Sequence, residues 1–137
     1  GKKSARALMC FLCPNVFILC LTAIALARKE GERKYAAVIN KTMSEMEEWA
    51  KQVPWNCQNK LELMRAEYAY LKGNTILAAS CFDNAVDLAA KHHFTHEQGL
   101  ALERCGIFHM DIGNHATAAG VLKRAQDCYK QWGALSK

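Results

Sequence analysis

Two cysteines near the start of the chain, Cys10 and Cys13, have the spacing of a metal-binding or redox pair. A C-x-x-C motif brings two thiols within reach of one zinc ion or of each other. A zinc site of this kind needs further ligands at a suitable distance, and the sequence contains no second C-x-x-C pair. Both cysteines also lie inside an apolar run. We therefore expect them to pack as small apolar side chains, without a metal or redox role.

Imidazole and carboxylate groups cluster later in the chain, at His92, His93, His96 and Glu97. Nitrogen and oxygen donors of this kind bind divalent metals. The cluster falls at a break between two helical patterns, however, and polar residues are common in such turns. We interpret it as an interhelical turn and predict no metal site there.

Other patterns that would indicate catalysis are missing from the sequence. It contains no phosphate-binding glycine loop, no nucleophile elbow and no pair of carboxylates in a plausible pocket. We expect no catalytic, cofactor-binding or metal-binding residues, and hence a protein that is not an enzyme.

Composition and charge limit the class of protein. The chain has 137 residues, of which 51% are apolar, which is enough for one domain with a real core. Residues 1–34 carry seven basic and two acidic residues, a surplus equal to the net charge of +5. These basic residues flank an apolar segment and do not form a basic face with aromatic or polar side chains that could contact bases. We therefore do not expect nucleic-acid binding. Seven cysteines, an odd number, favour free thiols and a cytoplasmic location.

Residues 7–27 contain no charge and have basic residues on both sides, as a membrane span does. Pro14 lies within this stretch and is better suited to begin a helix than to continue one. We therefore predict a short segment over 4–13 and a helix over 14–28, buried in a helical stack. A transmembrane helix over 7–27 attached to a cytosolic helical domain remains the alternative. The chain begins with Gly1, which suggests an excised fragment whose targeting signals are not readable.

Apolar residues spaced by three and four predict helices along the rest of the chain. Gly73-Asn74 and Gly113-Asn114 provide a helix stop followed by a helix cap. Thr95 and Gln98 have the spacing of a capping box. Gly133 is expected to end the last helix. The predicted helices after the first two lie between Gly31 and Pro54 and over 56–72, 75–91, 95–112 and 115–132.

Two stretches repeat each other forty positions apart, which is the signature of stacked helix pairs. Small residues recur at matched places with one large apolar residue between them, and a small residue lets two helices approach closely. The repeat-packing residues are Ala66, Gly73, Ala78, Phe82 and Ala85 in the first copy, and Gly106, Gly113, Ala118, Leu122 and Ala125 in the second.

This alternation resembles the tetratricopeptide repeat, although the spacing is 40 residues in place of about 34 and the closing proline is missing. The resemblance implies an all-α fold of antiparallel helix pairs, stacked as a tetratricopeptide-like right-handed superhelix of about six to seven helices. The pairs would span roughly 14–53, 56–92 and 95–133 within a single domain, 1–137. The implied concave face comprises Lys60, Leu63, Glu67, Tyr70, Leu71, Leu100, Glu103, Ile107 and Met110. We favour packing of these faces on neighbours within the parent protein, with peptide binding as the alternative.

A further resemblance rests on segments 23–27, 49–54, 56–60, 66–67, 85–89, 100–103 and 125–134. Its most specific part is Cys128-Tyr129-x-x-Trp132-Gly133-Ala134. Together these segments resemble the helical region that follows the AAA-type ATPase module of large signalling proteins, which often start with a serine/threonine-kinase-like domain and end with GAF and histidine-kinase or cyclase domains. The resemblance implies a non-catalytic, cytoplasmic scaffold in signal transduction. It would mediate protein–protein or interdomain contacts, with protein or neighbouring domains of the parent chain as partners, and without a cofactor or a membrane.

Overall fold

The computed structural model describes the backbone of residues 2–135 and the side chains of residues 7–134. Within that range the chain forms six α-helices and no strand. The prediction of an all-α protein is confirmed. The helices are α1 Lys2–Glu30, α2 Ala36–Gln52, α3 Pro54–Leu71, α4 Thr75–Lys91, α5 Thr95–Asp111 and α6 His115–Leu135.

The first helix is continuous through Pro14, so the predicted division into two segments at that residue is wrong. A proline inside a helix removes one hydrogen bond and crowds the preceding turn. Here Met9 and Cys13 before the proline and Phe17 after it are all buried on one face of α1. Pro14 itself is exposed. Burial of this common face on both sides of the proline stabilises one long helix against the local cost.

Three interhelical turns share one backbone arrangement. Gly73 and Gly113 adopt left-handed φ values of 81° and 90°, and His93 adopts 62° at the matching place before α5. Such a residue ends a helix by letting the next amide bond back to a free carbonyl. Asn74 then caps α4, since its Oδ1 accepts a 3.1 Å hydrogen bond from the amide of Leu77. The turn geometry therefore tolerates a histidine where the other two turns have glycine.

Three predicted signals for helix ends differ from the structure. Thr95 is the first residue of α5 and the cap position is Phe94, which makes no side-chain capping bond, so the predicted capping box is wrong. Gly133 lies inside α6, which continues to Leu135. The third helix begins at Pro54, two residues early, because the first helical position does not need the amide that proline lacks.

Helices next to each other in sequence pack together, and α3 also contacts both α1 and α5. Within residues 2–135, no contact joins α2 to α4 or α4 to α6. The odd-numbered helices therefore touch one another through α3, whereas the even-numbered helices touch only their neighbours in sequence. In the core between α4 and α5, the rings of Phe82 and Phe108 lie 5.2 Å apart.

Close approach of α5 and α6 depends on glycine. A Cβ atom added at Gly106 would lie 2.6 Å from the Leu122 side chain, and one at Gly99 would lie 2.9 Å from the Tyr129 ring. Gly99, near the start of α5, thus faces Tyr129 in the second half of α6. Gly106, in the second half of α5, faces Leu122, which lies nearer the start of α6. No larger side chain fits this interface without displacing its partner.

Candidate binding groove

The repeat-packing residues predicted from the sequence divide into three groups in the structure. Gly73 and Gly113 form the turns described above. Leu122 is half-buried and lies against Gly106. The remaining seven are buried: Ala66, Ala78, Phe82, Ala85, Gly106, Ala118 and Ala125.

The residues predicted for a concave face do not form one open surface. Lys60, Leu63 and Glu67 on α3 are buried. Ile107 and Met110 on α5 are exposed. The half-buried members are Tyr70, Leu71, Leu100 and Glu103.

A groove lies where α1 and α5 flank α3. It consists of two adjoining cavities of about 450 and 380 Å³ that share Ile18 of α1 and Leu100 of α5 in their linings. We refer to them as the lower and the upper cavity, and to both as the groove. Phe17 and Lys60 line the lower cavity, and Leu21 and Glu67 line the upper one. The walls of the groove are therefore mostly apolar, and charged groups of α3 form its floor.

The charged floor of the lower cavity is fully paired. The ammonium of Lys60 lies 2.8 Å from a carboxylate oxygen of Glu97. It also donates a 2.9 Å hydrogen bond to the carbonyl of Asn56 and lies 4.7 Å from the centre of the Phe94 ring. Burial of a lysine that is only 5% exposed requires partners of this kind. His96 and Glu97 lie in the first turn of α5, so their assignment to an interhelical turn is wrong, and Glu97 joins α5 to α3.

In the upper cavity one buried carboxylate joins three helices. Glu67 of α3 accepts hydrogen bonds of 2.6 and 3.3 Å from Arg104 of α5. Arg28 of α1 lies 3.6 Å from the same carboxylate. The Arg28 guanidinium also lies 4.1 Å from the centre of the Tyr70 ring. Two guanidinium groups thus share the Glu67 carboxylate.

Tyr70 continues this network toward the far end of α5. Its hydroxyl donates a 2.5 Å hydrogen bond to Asp111, and its ring meets Phe108 edge-on at 5.2 Å. Burial, followed by the hydrogen bond to the Asp111 carboxylate, raises the pKa of Tyr70 to about 12. The neutral phenol is therefore the form that the folded chain favours.

The two cysteines of the C-x-x-C motif have different surroundings. Cys10 is exposed, whereas Cys13 is buried with its Sγ atom 3.5 Å from Sγ of Cys57 on α3. No spacing signal could have indicated this pairing, because the two residues are 44 positions apart. In the histidine cluster, the ring of His96 packs 4.8 Å from that of Trp132. Across the described residues, no three His, Cys, Asp or Glu side chains are placed to hold a metal ion.

A separate cleft of about 690 Å³ lies between α2, α3 and α4. Met43, Tyr68 and Leu77 supply apolar lining, and charged residues of both signs line the rest. The α3 residues that line it lie on the helix face opposite to Lys60 and Glu67. Since the odd-numbered helices alone form the groove, the two openings are distinct.

One helix in the described range, Ala7–Glu30, is long and apolar enough to cross a membrane by length and composition. In the structure, 33% of its most apolar window is buried inside the protein. Large apolar side chains remain exposed on its outer face, including Leu8, Phe11 and Leu19.

Comparison of this chain with protein-family models, curated proteins and solved structures found no match.

Proposed function

We propose that this chain is a non-catalytic helical repeat scaffold that holds a segment of another protein, or of a neighbouring domain of its parent chain, in the groove. Its helix pairs would stack in antiparallel fashion as a tetratricopeptide-like right-handed superhelix. The pattern of helix contacts supports this arrangement, since each odd-numbered helix touches the next and each even-numbered helix touches the following odd one. The observation that carries the function is the groove itself, with apolar walls over a floor whose charges are already paired.

The occupant that fits is a peptide segment with an apolar side chain and a carboxylate. The lower cavity offers apolar contacts at Phe17 and Leu100. The upper cavity offers the guanidinium of Arg104, whose side chain is 26% exposed and which shares the Glu67 carboxylate with Arg28. Lys60 and Glu67, which mark the two floors, are two helical turns apart, or about 10 Å. An extended peptide spans that distance in about three residues.

Selection of peptides tests this proposal. We expect a displayed random library, selected on the purified chain, to be enriched in an apolar residue about three positions from Asp or Glu. Fluorescence anisotropy with the selected peptide should show at least a tenfold weaker affinity for Leu100→Glu. The matched control is Ile76→Glu, because Ile76 is 85% exposed on α4 and lies outside the groove lining. Equal loss in both variants, or no enriched motif, contradicts the proposal.

For context, we propose a cytoplasmic role in signal transduction, next to an ATPase module in a larger protein. The similarity of segments such as 128–134 to the helical region of signalling ATPases supports this proposal. The free state of all seven cysteines suits a reducing compartment. Flanking sequence that encodes a nucleotide-binding module upstream and a kinase or cyclase downstream would support the assignment, and an unrelated neighbourhood would contradict it.

A second candidate function is that of a membrane-anchored fragment in which residues 7–27 span the bilayer. The exposed apolar face of α1 favours it. Against it, α1 buries Cys13, Cys20 and Ile24 against protein, which lipid would have to replace. Membrane fractionation after alkaline washing separates the two. Retention that is lost on deleting residues 1–28 supports the span, and recovery in the soluble fraction without detergent supports the scaffold.

A further inference from the structure

Two buried thiols from different helices meet beside the groove. Sγ of Cys13 on α1 lies 3.5 Å from Sγ of Cys57 on α3, and neither side chain is exposed. The Sδ atom of Met46 lies 3.6 Å from the Cys13 sulfur. Formation of a disulfide requires the two sulfurs to approach to about 2.05 Å. The two sulfurs are already in contact and have to move about 1.5 Å closer for the bond to form.

We propose that Cys13 and Cys57 form an oxidisable pair that hydrogen peroxide converts into a disulfide between α1 and α3. This pair is not the pair of the C-x-x-C motif, because it joins Cys13 of that motif to Cys57, which is remote in sequence. It does not depend on the groove having an occupant.

The surroundings assign different roles to the two sulfurs. The hydrogen bond between the Cys13 and Cys57 thiols lowers the pKa of Cys57 against the opposing effect of burial, and the nearby Lys60 ammonium and the Asn56 amide also lower it. The same hydrogen bond, together with burial, raises the pKa of Cys13. Because the thiolate is the reactive form, Cys57 is the sulfur that attacks peroxide. Cys13 is the sulfur that closes the disulfide.

The lower cavity lies next to this pair of cysteines. Pro14, which follows Cys13, and Asn56, which precedes Cys57, both line that cavity. The Asn56 side-chain nitrogen lies 4.0 Å from the sulfur of Cys57 and 4.0 Å from that of the exposed Cys10. Both sulfurs are themselves fully buried, so an oxidant reaches them when the chain opens locally beside this cavity. Peroxide, which is little larger than water, needs a smaller opening than a bulky disulfide reagent does.

The two steps balance in atoms and electrons. The Cys57 thiolate attacks one peroxide oxygen, the O–O bond breaks, and the leaving hydroxide takes the proton that Cys57 released, giving a sulfenic acid and one water. The Cys13 sulfur then attacks the Cys57 sulfur and the S–O bond breaks. The departing hydroxide takes the Cys13 proton and leaves as a second water. Two sulfurs are oxidised and both peroxide oxygens are reduced to water.

Disulfide mapping of the whole chain tests the proposal without any variant. The protein is treated with one equivalent of hydrogen peroxide, its remaining thiols are blocked in denaturant, and it is digested with trypsin. We expect a linked pair of peptides 7–28 and 52–60, with Cys57 the single cysteine of the second. Fragmentation should place the bond at Cys13. The chain should lose two of its seven thiols, and dithiothreitol should restore both.

Matched variants decide between this pair and other cysteines. Cys57→Ala and Cys13→Ala should each prevent the loss of two thiols. Cys20→Ala should not, although Cys20 is equally buried on the same helix. Cys10→Ala should also leave the loss intact, because Cys10 takes no part in the bond. The proposal is overturned if the map joins Cys10 to either sulfur, or if all seven thiols survive treatment.

A thermal measurement gives an independent readout. The bond would close a loop between residues 44 positions apart, which restricts the unfolded chain. The oxidised protein should therefore melt at a higher temperature than the reduced one, and dithiothreitol should reverse the shift. An oxidised protein with an irreversibly lowered melting temperature indicates overoxidation and contradicts a reversible disulfide.

Discussion

At the scale of single residues, Gly106 and Gly120 are two glycines with opposite surroundings. A Cβ at Gly106 would lie 2.6 Å from the Leu122 side chain, whereas nothing lies within 4 Å of one at Gly120. Alanine gains about 0.5–1 kcal/mol over glycine in an open helical position. Overpacking costs about 1–3 kcal/mol. We therefore expect Gly120→Ala to stabilise the protein and Gly106→Ala to destabilise it in urea unfolding.

The control for this prediction removes the colliding group. Adding Leu122→Ala to Gly106→Ala should cost less than Leu122→Ala costs alone, because the shortened side chain no longer meets the new methyl group. A double-mutant cycle measures the difference. Equal gains in stability for the two glycine substitutions would show that the close approach of α5 and α6 is not tight.

The raised pKa of Tyr70 predicts how the free energy of unfolding depends on pH in the alkaline range. Its pKa is raised to about 12 in the folded chain, whereas an unperturbed tyrosine titrates near 10. Between these values the unfolded chain has lost the phenolic proton and the folded chain retains it. Since the folded state binds more protons, the free energy of unfolding must fall as pH rises through this range. Below about pH 9 this contribution is constant.

Urea titrations at a series of pH values check this expectation. Tyr70→Phe should make the decline above pH 10 less steep, because phenylalanine cannot release a proton. Tyr129, whose pKa is raised by burial and by its hydrogen bond to Glu103, keeps the remaining slope negative. An identical pH profile in wild type and Tyr70→Phe would contradict the assignment.

At the scale of elements, the two prolines of the chain test how α1 is held together. Pro14 lies inside α1, whereas Pro54 is the first residue of α3. A proline in a helix interior costs about 3 kcal/mol, but at the first position it costs little. Both are exposed, so neither loses much packing when shortened. We expect Pro14→Ala to stabilise the protein by about 1–3 kcal/mol and Pro54→Ala to change it little. Similar effects of both substitutions would mean that α1 is not continuous at Pro14.

The same elements show what local sequence could and could not predict. The start of α4 at Thr75 follows from the sequence because Gly73 and Asn74 encode a stop and a cap locally. The continuity of α1 does not follow, because burial against α2 and α3 outweighs a local breaker. His93 also ends a helix without the usual glycine. Local signals therefore predicted the elements, and tertiary packing decided the exceptions.

The groove was less predictable for the same reason. Repeat alignment placed Lys60 and Glu67 on a binding face, but it could not indicate that α1 and α5 would bury them. The Glu67 contacts to Arg28 and Arg104 join residues 39 and 37 positions away in sequence. Contacts of this range carry no periodic signal along the chain. Only the assembled helices bring them together.

At the scale of the whole molecule, Glu67 joins α1, α3 and α5 through a single carboxylate. Replacing it by glutamine would remove the charge and retain most of the volume, leaving two guanidinium groups without their anion. Hydrogen bonds to charged groups contribute about 1.5–3 kcal/mol each, so we expect Glu67→Gln to lower the free energy of unfolding by about that amount. The matched control is Asp127→Asn, whose partner Lys123 is 65% exposed, and it should cost no more than about 0.5 kcal/mol.

Hydrogen exchange distinguishes a loss of this link from a general weakening of the fold. Arg28 lies near the end of α1, and its contacts to Glu67 and the Tyr70 ring are polar attachments of that helix end to α3. In Glu67→Gln, amides in the last two turns of α1 should exchange faster than in wild type. α6 makes no contact with α1 or α3 within residues 2–135. The exchange rates of its amides should therefore rise only to the extent that global unfolding becomes easier. Uniform acceleration across α1 and α6 would show that Glu67 supports the whole stack evenly and does not anchor α1 to the groove.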